Sequence, residues 1–365
     1  MSIWRVKPVA AFEADMKKND LKRVLTKWGL TSLGIGAIIG GGIFTLTGIA
    51  AHDYAGPALA LSFVIAGIGC LFASLCYAEF ASVLPVEGSA YAYAYGTVGE
   101  LFAWFIGWNL ILEYMMGATT VAVAWSGYFV KLLHLFGIDF PIWLCNDLTT
   151  ATEKYAELGQ GAPSFAFNLP AFLITWVVTY ILVKGIKEAA KTNNIIVIIK
   201  VAVVLFVIIA GAFYIDTANW QPFIPTEKTI IIDGVEKVSF GFGGVLTAAT
   251  IVFFAYIGFD AVSTQAGEAI NPKKDVPFAI VASLIICTVL YILVSLVLTG
   301  MVPYDQLDKS APVASAFSEN GITWAVFIIT LAATAGLTSV MLVMMLGQTR
   351  IFLGMAKDGL LPNFF

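Results

Sequence analysis

Charge is scarce in this 365-residue sequence. Asp, Glu, Lys and Arg make up 12% of it, about half of what a soluble domain uses to keep its surface in water. Hydrophobic residues make up 59% and the mean hydropathy is +0.88. The surface itself must therefore tolerate oil, which excludes an ordinary water-soluble fold. Cysteine is also sparse. Cys70, Cys76 and Cys287 lie inside apolar runs and Cys145 stands alone in a loop, so no disulfide framework is expected. No metal-ligand cluster, nucleophile–base pair or phosphate loop is present, so an enzyme is the least favoured class and no metal or other cofactor is expected. A net charge of −4 argues against a nucleic-acid partner. A cleavable leader is lacking too: the first thirty residues are basic and polar, and no small-residue cleavage site follows a short apolar core. The first apolar run is expected to be a mature span.

What is present is a series of apolar runs, each near the roughly 20 residues needed to cross a hydrocarbon core. Eight spans are expected, at residues 30–51, 57–84, 101–134, 169–184, 195–216, 244–268, 279–302 and 323–350. The third is long enough to tilt or to project beyond the bilayer. Residues 229–233 and 235–239, separated by Gly234, predict a small β-hairpin in the loop after the fifth span. With the N-terminus placed in the cytoplasm, fourteen Lys and Arg residues fall in cytoplasmic segments and five in external ones. That bias predicts an N-in orientation. Membrane lipid is thus an expected partner, and the cell (plasma) membrane the expected location.

Two of the spans look broken. In the first, Gly40, Gly41 and Gly42 stand in succession, and each costs a helix about 1 kcal/mol relative to alanine. Close helix packing through Gly36 and Gly40 accounts for two glycines but not for the run. A dinucleotide-binding loop is excluded because no strand precedes it. In the sixth span, Gly258 and Asp260 interrupt an apolar stretch, and an ionisable residue at that depth is a functional candidate. A structural carboxylate bonded to neighbouring helices is the plainer alternative. The two interrupted spans lie five apart and start on opposite sides. This is the pattern of an inverted-repeat secondary transporter whose site lies between them at the midplane. The helix resuming near Gly41–Ile43 offers free N–H groups and a positive dipole end to a carboxylate. Unwound carbonyls near Ile38 and at Phe254, Ala255 and Tyr256 can accept from an ammonium. Together they describe an α-amino acid. The expected substrate-binding set is Ile38, Ile39, Gly40, Gly41, Gly42, Ile43, Phe253, Phe254, Ala255, Tyr256 and Ile257.

Several stretches resemble the amino acid–polyamine–organocation superfamily, and within it the cationic amino acid transporter branch. They are residues 34–48 (GIGAIIGGGIFTLTG), 77–95 (YAEFASVLPVEGSAYAYAY), 107–114 (GWNLILEY), 253–277 (FFAYIGFDAVSTQAGEAINPKKDVP) and 347–362 (GQTRIFLGMAKDGLLP). They spread over nearly the whole chain. Two positions depart from the family pattern. Gly41 fills the middle of the Gly-x-Gly break, and Gly267-Glu268 stands where Glu-Glu is usual. The resemblance implies an all-α, LeuT-like fold of two inverted five-helix repeats with discontinuous spans 1 and 6. On that plan, residues 1–27 form a cytoplasmic segment and 28–216 the first repeat. Residues 217–243 form an extracellular loop, and 244–365 the start of the second repeat. Because the resemblance implies ten or more spans, part of the second repeat is expected to be missing.

Span 5 is an uninterrupted apolar helix except for Lys200. Snorkelling of its amine to the interface is the plain reading. The resemblance implies another, in which a span-5 lysine takes the place a coupling cation holds in sodium-driven relatives. Lys200 would then meet carbonyls around Gly36 and Ile39 and the hydroxyls of Thr338 and Ser339. Protonated, it would hold the inner half of span 1 shut; deprotonated, it would release it. The proton is accordingly the expected coupling ion. Glu113, near the middle of span 3, is a secondary candidate with Asp260, either for a cationic side chain and proton relay or as a structural carboxylate. The resulting expectation is import of an L-amino acid, cationic or small and neutral such as alanine, by proton symport. An exchanger and a non-transporting sensor of the same fold are the alternatives. Neither an accessory subunit nor an oligomeric state is indicated by the sequence.

Overall fold

A computed structural model describes residues 4–17, 22–86, 88–232, 235–309 and 311–361. The polypeptide is almost wholly helical. The main helices are α1 (Lys27–Ile38), α2 (Leu59–Val83), α3 (Glu100–Leu135), α4 (Leu169–Lys184), α5 (Ile186–Ala212), α6 (Gly241–Phe253), α7 (Pro272–Met301) and α8 (Thr323–Lys357). Six helical runs among the described residues are long and apolar enough to cross a membrane. The first of them, Lys27–Val83, contains both α1 and α2, while α4 is a shorter apolar helix. Each expected span falls on helical segments, with three larger shifts in boundary, one of them in α7, which begins at Pro272 rather than at 279. α5 begins at Ile186 rather than at 195, because only Gly185, at φ 122°, separates it from α4. α8 runs on to Lys357, beyond the expected end at 350. The hairpin forms as β1 (Lys228–Ile232) antiparallel to β2 (Val235–Ser239), with Lys228 opposite Ser239. Its expected turn at Asp233 and Gly234 lies outside the described residues.

The core is arranged around α7 and α8. α7 packs along α2 and α1, and α8 packs along α3 and α5. α4 turns Phe172, Leu173, Trp176, Val177, Tyr180 and Val183 outward, an apolar face that suits lipid tails and no aqueous surface. Polar pairs tie the two ends of the bundle. At one end, buried Lys7 forms an ion pair with Asp358, and the Tyr91 hydroxyl donates to the same carboxylate at 2.7 Å. Burial first, and then that neighbouring carboxylate, push the Tyr91 phenol well above its ordinary range. Nearby, Arg350 meets Glu268 at 2.5 Å, and the Glu268 carbonyl accepts from Val24 and Leu25. At the opposite end Asp53 accepts from Lys309 at 2.6 Å and from His52 at 2.7 Å.

Candidate functional site

The last regular hydrogen bond of α1 runs from the Ile39 N–H to the Ile35 carbonyl. Ile39 then takes an extended conformation (φ −74°, ψ 101°), and the chain bends at Ile39 and Gly40 before Gly41 returns to helical angles (φ −55°, ψ −24°). Helix resumes at Gly42 as a wide π-type turn, Gly42–Leu46, followed by Thr47–Ala50. Such a break strips the final carbonyls of α1 of their intrahelical partners, and inside an apolar bundle each must find another donor. The partners come from three different helices. Lys200 of α5 donates to the Gly36 and Ile39 carbonyls, both at 2.8 Å. Tyr291 of α7 donates to the Ile38 carbonyl at 2.7 Å, and Ser339 of α8 approaches the Gly36 carbonyl at 3.2 Å.

Lys200 is completely buried. Its third contact is the Ser339 hydroxyl oxygen at 3.3 Å. Three acceptors surround one nitrogen, which matches the three donors of an ammonium. The structure therefore brings Lys200, Gly36 and Ser339 together. Thr338 is placed elsewhere: its hydroxyl accepts from the Trp125 indole at 2.9 Å and donates to the Thr334 carbonyl. Successive helical residues point about 100° apart, so Thr338 and Ser339 cannot share one partner. Gly36 is required by close approach, since a Cβ there would fall 2.5 Å from the Asn193 carboxamide and 2.8 Å from Ser339 Oγ.

The second break follows α6. Phe254–Tyr256 is a single tight turn, Ile257 is extended, and Gly258 adopts φ 111°, a conformation that favours glycine. The short helix Ala261–Thr264 then begins. The two breaks touch. A Cβ on Gly42 would lie 2.5 Å from that of Ala255, and one on Gly258 would lie 2.7 Å from that of Ala37. Tyr291 joins them, because its hydroxyl also lies 3.0 Å from the Ala255 carbonyl. Asp260 is buried and accepts from the Tyr114 hydroxyl at 2.6 Å.

Of the expected substrate-binding residues, Ile38, Ile39, Gly40, Ile43, Ala255 and Tyr256 are buried at this junction. Gly41, Gly42 and Ile257 are half-buried, and Phe253 and Phe254 are exposed. Glu113 interacts electrostatically with Asp260 but not with the Lys200 cluster. It lies on the exposed side of α3 and makes no hydrogen bond or ion pair among the described residues. A cavity of about 440 Å³ lies between the end of α3, the helix Pro312–Glu319 and the start of α8, and none of its lining residues belongs to either break. Sequence reading missed three polar participants: Tyr291, Asn193 and Trp125. Asn193 left a usable signal, since it precedes Lys200 by seven residues, two helical turns on the same face. Tyr291 and Trp125 left none beyond being aromatic residues in apolar runs.

A family model described as amino acid permease matches residues 25–365. The branched-chain amino acid permease BcaP of Bacillus subtilis is 47% identical over 99% of this chain and 73% of its own length. The methylthioribose transporter of the same organism is 44% identical over all of this chain and 74% of its own. Cationic amino acid transporter 9, chloroplastic, of Arabidopsis thaliana is 41% identical over 95% of this chain and 57% of its own. Among solved structures, MhsT in complex with L-phenylalanine matches with a TM-score of 0.62 at 15% identity, over 88% of this chain and 72% of that one. At that identity the likeness speaks for the fold, which is LeuT-like. The chain belongs to the amino acid permease family, within the superfamily its sequence resembles. It is a multi-pass membrane protein of a transporter family and not an enzyme.

Proposed function

From membership in the amino acid permease family, we propose that this chain is a secondary active transporter that imports L-amino acids by proton symport. The substrate is a cationic or a small neutral amino acid such as alanine. It binds where the two breaks meet, at the midplane of a protein that crosses the plasma membrane eight times within this chain, with its N-terminus in the cytoplasm. The observation that carries the reading is the hydrogen-bond inventory of the first break. Its freed carbonyls are held by Lys200 and Tyr291, side chains of two other helices, and Ser339 of a third accepts from Lys200.

A carbonyl has two lone pairs. Ile38 at 2.7 Å and Ala255 at 3.0 Å share the single Tyr291 proton, so each keeps at least one lone pair for a substrate ammonium. The helix resuming at Gly42 turns unbonded N–H groups toward the same region, where a carboxylate is favoured. Lys200 supplies the coupling. As an ammonium it ties the inner half of the first span to α5 and α8, and as an amine it has one donor fewer for the same three acceptors. An exchanger would share this geometry without net proton movement. A sensor would bind without moving its ligand.

The test is uptake into proteoliposomes from a panel of labelled amino acids, with methylthioribose included because one relative bears that name. Saturable uptake of at least one amino acid is expected. Binding without uptake would favour the sensor, and uptake of methylthioribose alone would sink the amino-acid reading.

A further inference from the structure

The Lys200 site continues past Ser339 to a residue to which the transport reading gives no role. Asn193 is completely buried. Its side chain makes two contacts with groups distant in sequence. The carboxamide oxygen accepts from the Ser339 hydroxyl at 2.6 Å, and the carboxamide nitrogen donates to the Ser32 carbonyl at 3.2 Å. Ser339 carries one proton and has two acceptors in reach, Asn193 at 2.6 Å and the Gly36 carbonyl at 3.2 Å. The shorter contact takes the proton. That choice turns the lone pairs of the hydroxyl toward Lys200, 3.3 Å away. The order is therefore Lys200 ammonium to Ser339 oxygen, and Ser339 hydroxyl to Asn193 oxygen.

We propose that Asn193 is a positioning residue for the coupling reaction: by fixing which way the Ser339 hydroxyl points, it sets how firmly the α5 ammonium is held, while its amide nitrogen clips the inner half of α1 to α5. The inference rests on the proposed role of Lys200 and extends it by one residue. Asn193 touches no substrate and acts through Ser339. Few groups compete with it. Among the described residues, the Cys287 thiol of α7 is the titratable side chain that acts on Lys200. α1 presents backbone carbonyls to the amine, and α8 presents Ser339. On α5 itself Lys187, Glu188 and Lys191 lie on the exposed end.

The experiment is uptake against pH in proteoliposomes for the unaltered chain, Asn193→Asp, Asn193→Ala and Ser339→Ala. Asn193→Asp preserves shape and adds negative charge one hydroxyl away from Lys200. The midpoint of the pH profile is expected to move to the alkaline side by about one unit, in line with the effect of an opposite charge at such range. Asn193→Ala removes the acceptor, and its midpoint is expected to move the other way, by less. Ser339→Ala should reproduce that smaller shift. Midpoints that stay put in both Asn193 variants, with only yield or thermal stability reduced, would overturn the inference and leave Asn193 as packing. A flat profile in the unaltered chain is a different failure: it would sink the coupling role of Lys200 and this inference with it.

Discussion

At the first break, three freed carbonyls are each met by a side chain from another helix, and Gly36, Gly40 and Gly42 leave no room for a Cβ. At the second break, one carbonyl, that of Ala255, is met in this way, and Phe254 stands 65% exposed. The two regions face each other but are held to different degrees. The first is a platform, fixed by Lys200 and Tyr291. The second carries two exposed side chains, Phe253 and Phe254. On the proposed function, the coupling group belongs to the first break, and the second is left to the ligand.

The strongest way to break this contrast is to remove Lys200. Lys200→Ala leaves the Gly36 and Ile39 carbonyls without their charged donor, at a cost of about 1–3 kcal/mol for each orphaned group. Loss of uptake is expected, while wild-type-like uptake with no response to pH would refute the platform role. Next comes Gly42→Ala, which places a methyl group 2.5 Å from the Ala255 Cβ and 2.7 Å from its Cα. Overpacking of this kind costs about 1–3 kcal/mol, readable as a lowered Tm in detergent. Tyr291→Phe should cost about 1 kcal/mol, the net value of one hydrogen bond. Because it unpins both breaks at once, its uptake KM is expected to change together with its stability. Gly41→Ala sharpens the comparison from the other side. Its new methyl group would meet only Leu337, at 3.7 Å, so stability is expected to change by no more than about 0.5 kcal/mol. A collapse as large as that of Gly42→Ala would show that the platform is not limited to the packed glycines.

Much of this was legible in the sequence because it depends on local pattern. Apolar runs of about 20 residues announce helices whatever their neighbours, and three glycines in one of them announce a break. Lys200 stood out because nothing else in its run is charged. The start of α5 did not, because Lys184, Lys187 and Lys191 resemble a loop, whereas the helix restarts immediately after Gly185. Thr338 and Ser339 were equally plausible partners until the rotation of α8 separated them. Tyr291 was invisible for a different reason: it meets Ile38 across 253 residues of chain, and no local pattern reports such a pairing. Asn193, adjacent to the equally polar Asn194, needed the helical phase of Lys200 to be singled out.

The central claim, proton-driven movement of an amino acid through the junction of the two breaks, is tested most directly by accumulation in sealed vesicles. An inward proton gradient is imposed on proteoliposomes, a labelled amino acid from the transported set is added, and a protonophore follows in the same sample. The account predicts accumulation above the external concentration, then loss of that excess when the gradient collapses. Equilibration to the external level with no response to either treatment would contradict it.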